Sequence, residues 1–152
     1  MSGSKYIYNN EAFGISAMAS VLKHMENTSY SKTMLILPFV THKETLDYLK
    51  LQRSDVKSIE QLIAKKANLI TNFNKRFLNL LPISLNSLHI LHEMKVILIK
   101  DQQIKFNKSS QFNESDIKLG ARVKDVVKAS KKIANLLQKD ESELYLQLRV
   151  LL

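Results

Sequence analysis

Between Ser58 and Phe106 the apolar residues change period, from the three-and-four spacing of a helix to the alternation of a strand. Ser58 followed by Gln61 forms a capping box, and Ile59, Leu62 and Ile63 give a first short helix its apolar face. Leu69, Phe73, Phe77 and Leu80 line a second helix, which is expected to stop before Pro82. A third is expected to start at a Ser84 cap, with Leu88, Leu91 and Met94 as its stripe. Val96 to Ile99, a turn at Asp101–Gln102 and a return through Ile104 and Phe106 read as a β-hairpin. Three helices followed by a hairpin is winged-helix order. The fold class expected is therefore α+β, mostly helical, with a winged-helix-like centre and flanking N-terminal and C-terminal helices.

The flanks obey the same logic. In "NNEAFGISAMASVLKHME", Asn10 reads as an N-cap with Glu11 in the first turn, and Ile15, Met18, Leu22 and Met25 recur at helical spacing. Phe13, Ala17 and Val21 widen that stripe, so the helix should be deeply buried. "TMLILPFV" is short and continuously apolar and reads as a buried strand or extended segment, although periodicity alone does not separate it from a turn of helix. "THKE" makes a second capping box, Thr41 with Glu44, opening a helix to about Lys50. "NKSSQFNESD", residues 107–116, is the best linker candidate. With 152 residues, a single domain is expected, divided into an N-terminal segment (1–57), the winged-helix-like part (58–108) and a C-terminal pair of helices (117–152).

Composition removes whole classes of chemistry. The chain has no Cys, which excludes disulfides, thiolate metal sites and a thiol nucleophile, and fits a cytoplasmic protein. Its three glycines, Gly3, Gly14 and Gly120, stand too far apart for a phosphate-binding loop. His89 and His92 with Glu93 match no zinc-protease order, and His24 and His42 have no ligand-spaced neighbours. No catalytic residue, cofactor site or metal site is therefore assigned. The polar N-terminus lacks the apolar core of a signal peptide, and the longest apolar run, Met34 to Val40, falls far short of the about 20 residues a membrane span needs.

The net charge is +9, and its excess is concentrated in the last 36 residues. A basic balance permits a polyanionic partner, nucleic acid or an acidic protein surface. Base reading by the third predicted helix is disfavoured, since Ser84 to Met94 contains no Lys or Arg and Asn86 alone suits a base edge. The strongest pattern lies in "RVKDVVKASKKIANLLQK". Leu119, Val123, Val126, Ser130, Ile133 and Leu137 alternate spacings of four and three, with Lys118, Arg122, Asp125 and Lys132 on one flank. Lys124, Lys128 and Lys131 take the other flank; with Lys132 they are the candidate DNA contacts, made weakly and mainly within a complex.

Three stretches resemble a known family. They are "YNNEAFGISAMASVLKHM", "TMLILPFVTHKETLDYL" and "LGARVKDVVKASKKIANLLQKDESELYLQLRVLL", together nearly the whole chain. The sequence is similar to the middle component of ABC-three-component systems, of which Lamassu-type antiphage defence is an example. These are bacterial proteins encoded between an SMC- or Rad50-like ATPase and a variable effector. One departure is plain: Glu11 stands where the resemblance expects Pro. The resemblance implies a cytoplasmic, non-catalytic adaptor that docks on the ATPase head or coiled coil and holds an effector such as a nuclease. It implies no membrane partner. The positions it matches, Asn10, Gly120, Arg122, Lys128, Leu144, Tyr145, Leu148 and Arg149, are the candidate partner contacts. The alternative from another class is a free-standing winged-helix transcriptional regulator that binds DNA.

Overall fold

A computed structural model describes residues 2–114 and 120–151, with side chains from residue 11 onward. The first helix, α1 (Ser2–Leu22), begins well before Asn10, so Asn10 lies inside it and does not cap it. Glu11 explains this continuity: a Pro there would have lost a backbone donor and broken the helix, and Glu does neither. The buried face of α1 carries Ala17, Met18, Val21 and Leu22, all within 1% of complete burial.

The next segment corrects the extended reading. After β1 (Thr28–Ser29), residues 30–40 form two short helices, α2 (Tyr30–Thr33) and α3 (Ile36–Val40). Every residue of α3 is buried. A helix enclosed on all sides needs no polar face, so its sequence shows a continuous apolar run and no period. Pro38 falls in the first turn, where its missing N–H would have had no helical partner anyway. Thr41 follows as the C-cap of α3, its hydroxyl donating to the Leu37 carbonyl at 2.8 Å, and His42 caps α4 (Lys43–Leu49) instead. The expected Thr41 capping box is therefore absent: the N-cap position falls one residue later, on His42, which makes no side-chain bond to the backbone N–H groups of α4.

Ser58 does cap α5 (Ile59–Lys65): its hydroxyl accepts from the Gln61 N–H at 3.2 Å, and the Gln61 side chain accepts from the Lys57 N–H at 2.8 Å. A single 3-10 turn (Ala67–Leu69) leads to α6 (Phe73–Glu93). Here the expected pair of helices proves to be one, running through Pro82, and Ser84 is a buried residue within it and not a cap. Pro82 is exposed and so is Leu78, four residues earlier, so water is at hand on the side where the proline leaves a carbonyl without its helical donor. Residues 58–106, expected to be winged-helix-like, thus have two α-helices and a 3-10 turn before the hairpin where three helices were expected.

α6 ends in a left-handed Lys95 (φ 61°), with Val96 N–H bonded back to Leu91 and Lys95 N–H to His92. This Schellman stop delivers the chain into β2 (Ile97–Lys100) and β3 (Gln103–Phe106). Asp101 and Gln102 both take positive φ, 52° and 63°, the requirement of a two-residue hairpin turn. β1 adds to β3, giving an antiparallel sheet in the order β1-β3-β2 with Thr28 opposite Ile104 and Ile99 opposite the same residue. Ile97 and Ile104 point into the core.

α7 (Gly120–Leu136) packs on α1 and α4, and α8 (Glu141–Gln147) closes over α5. Small residues allow close approach: Ala17 and Ser20 on α1, Ala129, Ser130 and Ala134 on α7, all fully buried. On the other contact of α1, a Cβ placed on Gly14 would meet Ser87 Oγ of α6 at 2.6 Å, so a larger residue there would force the Ser87 side chain or the helix to shift. Phe39 of α3 and Phe73 of α6 pack with ring centroids 4.9 Å apart. The result is a mostly helical α+β fold. The linker candidate runs along this body over residues 107–114: Phe112 meets Phe106 edge-on at 6.2 Å, and Glu114 pairs with Lys23 at 2.9 Å.

Candidate interaction surfaces

α7 decides how the basic amphipathic stretch is used. Val123, Val126, Ser130, Ile133 and Leu137 are all buried, so its apolar stripe is consumed by the core. The Ser130 hydroxyl donates to the Val126 carbonyl at 2.7 Å, which satisfies a polar group at 0% exposure. Lys118 and Leu119 lie outside the described residues. Lys124, Lys128 and Lys131 project to solvent on the outer side. Lys132 differs from them. Its ammonium donates to the Leu51 carbonyl and the Ser54 hydroxyl, pinning the loop after α4, while Asp125 beside it pairs with Lys50 at 3.3 Å. Three of the four candidate DNA contacts therefore share an open face, and the fourth is committed to holding a loop.

The positions matched by the resemblance separate in the same way. Gly120 starts α7 at φ +81° with open space around it, so it is required for its backbone and not for fit. Arg122 lies 4.5 Å over the Phe13 ring and donates to the Thr41 carbonyl at 3.3 Å, tying α7 to α1 and α3. Leu144 and Leu148 are core residues at 0% and 1% exposure. The Tyr145 hydroxyl donates to the Ser31 carbonyl at 2.7 Å and its ring meets Phe77 edge-on; burial, with the Glu141 carboxylate nearby, pushes its pKa up to about 12. Arg149 is left-handed (φ 58°), with Val150 N–H bonded to Tyr145 and Arg149 N–H to Leu146. That is a second Schellman stop, so "LYLQLRV" encodes the end of α8 and the packing of its inner side. Lys128 and Arg149 are exposed, while Asn10 lies within the backbone of α1.

Two features were not singled out from the sequence. Arg76, which reads as surface charge, donates its three nitrogens to the carbonyls of Pro38, Leu69 and Thr71 at 3.0–3.2 Å. It stacks 5.3 Å from the Phe73 ring, and burial lowers its pKa. The second is the outer side of α6, where Leu78 and Leu85, seven residues apart, stand 47% and 51% exposed, with exposed Pro82 and His89 on the same face. The signal existed: both leucines fall off the stripe of Phe73, Phe77, Leu88 and Leu91 that accounts for the core.

The histidines do not converge. His24 and His42 are held below their ordinary 6.5, chiefly by burial, with Lys23 and Lys131 adding to the effect at His24 and Arg76 at His42. Among the described residues no three His, Cys, Asp or Glu side chains gather where they could hold a metal ion. No described helix is long and apolar enough to cross a membrane. No curated protein and no solved structure matches the chain. The family model described as the ABC-three component (ABC-3C) system Middle Component 3 matches residues 5–152, and this span, from the first half of α1 through the Schellman stop of α8, places the chain in that family.

Proposed function

We propose that this middle component is a non-catalytic adaptor of an antiphage or anti-plasmid defence complex of the Lamassu kind. It docks on the head or adjacent coiled coil of an SMC- or Rad50-like ATPase in the bacterial cytoplasm and holds an effector such as a nuclease. The outer side of α6 carries this reading: Leu78, Pro82 and Leu85 form an apolar face that none of the described elements covers. Exposed Arg149 and Lys128 and half-buried Tyr145 are the remaining partner contacts among the matched positions. Lys124, Lys128 and Lys131 meet DNA once the complex is assembled, where a solvated lysine rim steers association more than it anchors it. A free-standing regulator is the weaker reading, because the C-terminal half of α6 that would enter a groove has no Lys or Arg from Ser84 to Glu93.

Co-expression with the ATPase tests the docking. Leu78→Asp with Leu85→Asp should leave the chain folded, since both side chains are already half in water, and should abolish co-purification at moderate salt. A folded double variant that still co-purifies like the wild type would overturn the assignment of this face.

A further inference from the structure

The three free lysines of α7 do not stand alone. On one side of the helix, Lys128 and Arg53 line an open depression of about 490 Å³ together with Lys50, Leu51 and Gln52. Arg53 belongs to the loop that Lys132 clasps through Leu51 and Ser54, so the same helix that bears Lys128 fixes the backbone on which Arg53 is mounted. On the other side, α1 packs on both α7 and β3, and Lys131 of α7 acts on His24, just past the end of α1, to disfavour its protonated form. His24 in turn lines a second depression, of about 460 Å³, with Lys23, Lys105 and Lys108. Two carboxylates temper this end: Glu26 shares the lining, and Glu114 takes the Lys23 ammonium. Lys105, on the outward side of β3, and Lys108, just after it, are exposed.

We infer that Arg53, Lys124, Lys128, Lys131, Lys105 and Lys108 form one continuous cationic band that crosses α7 from the clasped loop to the hairpin, and that its ligand is the phosphodiester backbone of DNA. The band rests on the proposed DNA contact of α7 and extends it to two segments distant in sequence. A protein partner fits this band less well. Interface cores are poor in lysine and rich in aromatic and apolar anchors, whereas here the charged groups come from exposed Lys and Arg. Backbone binding needs only spaced cations, without base-edge donors in a fixed order.

Duplex DNA binding by the isolated chain, followed from low to physiological salt on two unrelated sequences, tests the band. Affinity should be weak and equal for both sequences. Each neutralised phosphate contributes about 0.9 to the log–log salt slope. Arg53→Gln, and Lys105→Gln with Lys108→Gln, should therefore flatten the slope as Lys128→Gln does, by about 0.9 for each phosphate left without its cation. Lys75→Gln, on α6, should not change it. If only the Lys128 variant responds, DNA touches α7 alone: the band is wrong and the reading beneath it stands. If no variant responds, or polyglutamate binds better than DNA, both the band and the DNA contact of α7 fall. ATPase docking is read separately by co-purification and is untouched by either result.

Discussion

Arg76 shows how far a residue's role can lie from its apparent type. Counted as charge, it adds to a basic surface; placed in the fold, its guanidinium closes three carbonyls on two separate segments, α3 and the turn before α6. No carboxylate is needed, because the last carbonyls of a short helix and of a 3-10 turn lack helical donors of their own. Only a planar fork with several N–H groups reaches all three at once, and a lysine ammonium is a point donor on a flexible stem. Arg76→Lys should therefore destabilise the chain by about 1.5–3 kcal/mol, the range for losing hydrogen bonds to a charged group. At about 2–4 °C per kcal/mol for a domain of this size, thermal unfolding reads the change directly. A lysine variant that melts with the wild type would mean that the three hydrogen bonds add nothing beyond a solvated charge.

α6 is the element where local rules and tertiary packing part company. An interior proline costs a helix about 3 kcal/mol against alanine, which is why the sequence alone breaks it before Pro82. The helix survives because Phe73, Phe77, Ser84, Ser87, Leu88 and Leu91 are all buried, from both sides of the proline. Pro82→Ala restores the bond to Leu78 and loses only the proline's restriction of the unfolded chain, so it should raise stability by about 2 kcal/mol. Denaturant unfolding with an unchanged m-value is the expected signature, and a variant no more stable than the wild type would show that the site has relaxed around its proline. The same contrast sets what was legible. The hairpin and α7 can be read because each keeps one face in water and so keeps its period. α3 cannot, because burial on every side erases the period that separates helix from strand. Thr41 looks like a cap because the spacing to Glu44 fits, yet its hydroxyl finds the Leu37 carbonyl behind it. The exposed side of α7 was legible as a candidate surface for the reason the core was: both follow from one stripe. Arg53 was not, since its nearness to Lys128 depends on the Lys132 clasp, a tertiary contact between residues 78 and 81 positions apart in sequence.

At the scale of the whole molecule, α1 is the central support. α6 and α7 both pack on it, α6 with Ser87 close against Gly14, and the α1 and α7 residues Ala17, Ser20, Ala129 and Ser130 are small and fully buried. Each outer helix then turns a different chemistry to solvent: Leu78 and Leu85 on α6, Lys124, Lys128 and Lys131 on α7. The proposed adaptor needs this separation, since a partner that buried the lysines would keep them from the DNA they are proposed to meet, and DNA laid over the leucines would gain nothing from them. The two proposed functions should accordingly dissociate under mutation. Lys124→Glu, Lys128→Glu and Lys131→Glu together change only exposed side chains, so the triple variant should fold, co-purify with the ATPase, and leave the assembled complex with weakened DNA binding. Leu78→Asp with Leu85→Asp should do the reverse, retaining the weak DNA binding of the isolated chain and losing the ATPase. Val126→Asp with Ile133→Asp should fail at an earlier stage: each places a carboxylate at a fully buried position without a partner. Their loss of both functions would come with loss of the folded state in circular dichroism. If the triple glutamate variant lost the ATPase and kept its DNA affinity, the two faces would have been assigned the wrong way round.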